Sequence, residues 1–89
     1  MARYYFDILD GAQFVRDDEG SEFDSPDAAV QAAVRAATEI GQGRLARGET
    51  SNVVIEVRDE RSQRVCTIRA SMEIDWHVSR PQGPHPWSA

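Results

Sequence analysis

The sequence predicts an α+β two-layer sandwich in ββαββ order, with a four-stranded, mainly antiparallel sheet and one helix across one face. Three observations predict it. Over residues 64–76 (RVCTIRASMEIDW), Cys66, Ile68, Ala70, Met72, Ile74 and Trp76 fall on one side, and Thr67, Arg69, Ser71, Glu73 and Asp75 on the other. A strand sends successive side chains to opposite faces, so this is a long strand with one dry and one wet face. Residues 52–58 (NVVIEVR) alternate in the same way, Val53, Ile55 and Val57 against Val54, Glu56 and Arg58. Ahead of them, Val30, Ala33, Val34, Ala37 and Ile40 recur at helical spacing in an alanine-rich run. A dry strand face needs a cover, and a single helix stripe supplies it.

Taken in order, residues 3–9 (RYYFDIL) open the chain as a strand, with Tyr4, Phe6 and Ile8 on one face and Arg3, Tyr5 and Asp7 on the other. Asp10-Gly11 is a hairpin-closing dipeptide that tolerates positive φ, and residues 13–17 (QFVRD) form the return strand. Residues 18–22 (DEGSE) read as a polar turn, with Phe23 just ahead of the next element. Ser25-Pro26-Asp27 starts the helix: a capping hydroxyl, a proline where its missing N–H costs nothing, and a carboxylate facing the helix dipole. Gly41 and Gly43 weaken the later turns, so the end lies between Ile40 and Arg47. The polar residues 59–63 turn the fourth strand out of the third. Residues 1–78 make one domain; the proline- and glycine-rich residues 79–89 (SRPQGPHPWSA) read as a mobile tail. Period fixes the faces and leaves strand order open.

Composition narrows the function classes. With 89 residues, 40% hydrophobic and 28% charged, the chain is an ordinary small globular domain. A formal charge of −5 argues against binding nucleic acid through phosphates and against docking on an anionic membrane. The single cysteine, Cys66, excludes an internal disulfide and reads as a small core residue. With no apolar run of spanning length and no signal-peptide core, the expectation is a cytoplasmic protein.

The residues 3–7 opening (RYYFD), the Asp10-Gly11 turn, the residues 18–22 turn, the alanine-rich helix after Ser25-Pro26-Asp27 and the residues 57–60 (VRDE) strand end occur in an order that resembles a family of short proteobacterial proteins. That family is catalogued as a domain of unknown function, common in soil and plant-associated bacteria. The likeness covers roughly residues 3–70. Family members often place a glycine in the turn after the Val-x-Asp-Glu strand end, where this chain has Arg61-Ser62-Gln63, so a looser second turn is expected. The resemblance implies a fold and a bacterial setting, and brings no activity or site residues.

No catalytic, metal or cofactor site is assigned from the sequence. Asp17, Asp18, Glu19 and Glu22 do not match the ligand spacing of a calcium loop and read as a solvated turn. His77 and His85 lack the further ligands of a zinc set. Gly41-Gln42-Gly43 follows a helix rather than a strand, the wrong context for a dinucleotide loop. The expected role is therefore a non-catalytic interaction or regulatory module, acting through sheet edges or the polar sheet face, with a homodimer and a protein as its partners. The candidate interface residues are Tyr5, Arg58, Arg69, Glu73 and Trp76. The competing reading is a small enzyme or ligand-binding domain with its site at the helix–sheet or dimer seam.

Overall fold

The computed structural model describes residues 1–78; the expected tail, with His85 and Trp87, lies outside them. The elements are β1 (Ala2–Asp10), β2 (Gln13–Val15), β3 (Ser21–Phe23), α1 (Pro26–Ala46), β4 (Ser51–Arg58) and β5 (Arg64–Met72). The strands run β2-β1-β4-β5 with β3 also on β1, and every pairing is antiparallel. The α+β class with one helix on an antiparallel sheet stands. Among the described residues the sheet has five strands rather than the expected four, because β3 occupies what the sequence presents as a polar turn.

The fifth strand has a simple origin. Ile8 faces Val15 and Tyr4 faces Ser21, so four steps along β1 correspond to six along the returning chain. β2 and β3 are thus two ends of one return strand, broken by a bulge with two surplus residues. Segments of three residues each are too short for a period to be read from sequence.

Helix α1 begins as its cap chemistry dictates, with Ser25 Oγ accepting from the Ala28 N–H at 3.1 Å and Pro26 at the first position. It runs through both glycines to Ala46, inside the expected interval. Its sheet-facing line is Ala29, Ala33, Ala37 and Gly41; Val34, expected in the stripe, is 46% exposed. Close approach explains the choice: a Cβ at Gly41 would already sit 3.4 Å from Met72 Sδ. Small residues let the helix lie close over the side chains of the sheet.

Beneath that line Val53, Ile55 and Val57 are fully buried, as the alternation of β4 predicts. Phe23 stacks on Phe6 at 5.8 Å and meets Tyr4 at 6.2 Å, closing the core at the β3 end. The outer strand is less dry than expected: Cys66, Ile68, Ala70 and Met72 are half-buried. It also ends at Met72 rather than Trp76, because its partner β4 begins at Ser51, directly opposite Met72. Ile74 and Trp76 follow the strand, half-buried. The turn after β4 is tied rather than loose: Asp59 Oδ1 accepts from the Arg61 and Gln63 N–H groups, each at 2.9 Å. Ser62 takes φ +64 there, the conformation that a glycine adopts without strain.

Candidate functional site

The densest polar cluster lies on the sheet face away from α1. Asp7 on β1 and Arg58 on β4 sit on that face in a diagonal relation, since Arg58 is registered against Tyr5. Arg58 Nε donates to Asp7 Oδ2 at 2.8 Å and Nη2 to Oδ1 at 3.3 Å, a two-pronged pair with each side chain only 11% exposed. The same guanidinium lies 4.6 Å from the Tyr5 ring centroid and donates to the Asp17 carbonyl at 2.8 Å. Asp7 Oδ1 in turn accepts from the Asp17 N–H at 3.0 Å.

Asp17 is the centre of the bulge between β2 and β3. Its Oδ2 accepts from the Phe6 N–H at 3.0 Å, and its Oδ1 from the Gly20 and Glu19 N–H groups at 2.9 and 3.1 Å. The Phe6 N–H lies on the stretch of β1 between the rungs made by β2 and β3, and the carboxylate takes the place of the missing strand carbonyl. Burial alone would raise both carboxyls. For Asp7 the Arg58 hydrogen bonds and charge, with the Asp17 N–H, outweigh it; for Asp17 the Gly20, Phe6 and Glu19 N–H groups and the Arg58 charge do so. Both are held below the ordinary value of 3.8. Arg58 is correspondingly raised by its hydrogen bond to Asp7.

The acidic cluster read from sequence is therefore dispersed. Asp17 turns inward, Asp18 lies 3.6 Å from Arg16, and Glu22 lies 3.8 Å from Arg3. Among the described residues no group of three His, Cys, Asp or Glu side chains converges as a metal site.

Of the expected interface residues, Tyr5 and Arg58 come together. Arg69 stands on β5 opposite Val54, away from them, and Glu73 and Trp76 lie past the end of that strand. A second feature is not marked by the sequence pattern. Phe14, Leu9, Val54 and Arg69 form one row across β2, β1, β4 and β5 by register, all on the open face. Phe14 is 61% exposed and Leu9 40%, with Val54 half-buried beside them. Val15, next to Phe14 and equally exposed, points to the opposite face beside Ile8. Apolar surface thus wraps the β2 edge.

A family model described as a domain of unknown function, DUF6894, matches residues 3–71. The chain belongs to the DUF6894 family. No curated protein and no solved structure matches it. The match agrees with the resemblance read from the opening, the turns and the helix, and it spans Asp7, Asp17, Gly20 and Arg58.

Within this DUF6894 domain Gly20 is fixed by geometry. It has φ +71, and a Cβ there would lie 2.9 Å from the Tyr4 carbonyl oxygen and 2.8 Å from the Tyr5 ring. A backbone oxygen cannot swing aside, so Gly20→Ala must open the bulge and loosen the Asp17 contacts. The expected loss is about 2 kcal/mol or more, read as a lower urea midpoint with unchanged slope.

Proposed function

We propose that this DUF6894 domain is a non-catalytic protein-interaction module whose working surface is its sheet. The observation that supports this is the exposed row of Phe14, Leu9 and Val54, continued round the β2 edge by Val15 and flanked by the polar lock of Tyr5, Asp7 and Arg58. Apolar side chains grouped on adjacent strands and rimmed by polar ones mark association surfaces. The polar groups of the neighbouring cluster are already engaged with one another and with backbone, which favours association over chemistry. The net charge of −5 favours a protein partner over a nucleic acid. A bacterial cytoplasmic setting accords with the family resemblance and with the lone, half-buried Cys66.

Phe14→Asp tests the reading, because Phe14 is exposed and its replacement leaves the core intact. Affinity capture from native lysate with wild-type and variant protein should recover a stoichiometric partner with the first and lose it with the second, the circular dichroism of the two being the same. Identical capture by both proteins would overturn the assignment of this surface.

A further inference from the structure

At the other edge of the sheet the chain carries a second, independent signal. β5 pairs with β4 on one side, and among the described residues no strand pairs with its other side. It is nine residues long and contains no proline. Strands of that length left open invite another strand. The strand alternation also outlasts the strand itself. Glu73, Ile74, Asp75 and Trp76 continue the wet–dry pattern after β4, which starts opposite Met72, has run out. The open-face charges change sign at the same point: Arg69 lies within β5, and Glu73 and Asp75 follow it.

We infer that two copies of this chain pair β5 against β5, antiparallel, about a two-fold axis at Ser71. In that register Arg69 stands opposite Glu73 of the second copy and Thr67 opposite Asp75, each twice by symmetry. On the helix side Ala70 stands opposite Met72, a small side chain against a large one, and Ile68 stands opposite Ile74, a branched apolar pair across the seam. The surplus alternation becomes strand, and the charges that would protect an isolated edge become complementary. A register centred at Arg69 would instead set arginine against arginine, which is unfavourable for directly opposed side chains. An even shift keeps both helices on one face of the joined sheet. An apolar hollow bounded by Gln42, Leu45, Ala46 and Ile74 opens at this end of β5, where Ile68 of the second copy would arrive. A two-fold interface is self-complementary by construction, and this segment meets that condition along its length.

Sedimentation equilibrium of the full chain over a hundredfold concentration range tests the seam. Wild-type protein should pass from monomer to dimer mass. Arg69→Glu and Glu73→Arg, each placing like charges opposite each other twice, should each weaken dimerisation about tenfold or more. The combined R69E/E73R chain should recover it. All these positions are exposed, and matching circular dichroism confirms the fold. A Cys66→Ser/Ser71→Cys chain should form a covalent dimer under mild oxidation. A constant monomer mass overturns the inference, as does a dimer that ignores both single changes and does not cross-link at position 71. Phe14→Asp should leave the monomer–dimer constant unaltered, so failure here and failure of the partner-binding surface are read separately.

Discussion

Asp7→Ala is expected to cost about 3 kcal/mol, among the largest effects of any surface-facing position in the chain. The substitution removes the two-pronged acceptor of Arg58, whose side chain is only 11% exposed in the intact fold, and removing one partner of a buried pair typically costs about 3–5 kcal/mol. It also deprives the Asp17 N–H of its acceptor, so the bulge loosens with the pair. For a domain of this size that loss lowers Tm by roughly 10–20 °C. The pH dependence has a definite sign. Asp7 and Asp17 are both held below 3.8 in the folded chain, so their contribution is whole at neutral pH. It is lost as pH falls from about 4 through the lowered folded values. Thermal melts from pH 7 to pH 2 should show a steep acid limb in the wild type. Asp7→Asn should flatten part of that limb while melting lower at pH 7.

Ile55→Ala is expected to cost about 3–5 kcal/mol. Ile55 is fully buried on the central strand, registered between Ile8 on β1 and Ile68 on β5 and lying in one cluster with Ala29, Ala33 and Ala37. The helix residues buried over it are alanines, too short to fold into the space, so much of the cavity persists. Ile68→Ala on the outer strand should cost less, about 1–2 kcal/mol, because Ile68 is only half-buried and its loss removes less covered surface. Urea midpoints of the two variants give the ranking at concentrations where the chain is monomeric; where the β5–β5 dimer forms and covers Ile68, the two losses should converge.

The difference between those two residues shows what the sequence makes legible. Alternation over residues 52–58 names the buried face of β4 without error, and Ser25-Pro26-Asp27 places the helix start to the residue. Period alone ranks β5 as the driest strand, since its alternation is longest. Yet dryness depends on neighbours: among the described residues β4 has one on each side and β5 has one side open. The helix stripe was displaced for a related reason. Valines attract a hydrophobic pattern, whereas a close-lying helix turns its alanines and Gly41 to the sheet.

The candidate site was legible only in pieces. Tyr5 and Arg58 could be placed on one face, but Asp7 reads as solvated at a wet position, and nothing local marks Asp17 as inward. Their meeting depends on a bulge that pairs residues ten apart through side chains. The Leu9–Phe14 pair did leave a signal. A two-residue turn at Gly11-Ala12 registers Leu9 against Phe14, and two apolar residues opposed on a wet face already depart from the expected pattern.

On this reading Asp7, Asp17 and Arg58 hold the fold together, and association falls to the sheet surface proposed for it. Catalytic and binding clusters commonly sacrifice stability, so replacing their charged members leaves a protein equally or more stable. The most direct test is the coupling between Asp7 and Arg58, from urea midpoints of the wild type, Asp7→Ala, Arg58→Met and the double variant. Both single changes should destabilise, and the pair should couple by about 1–3 kcal/mol. Single variants as stable as the wild type, with additive effects, would contradict it.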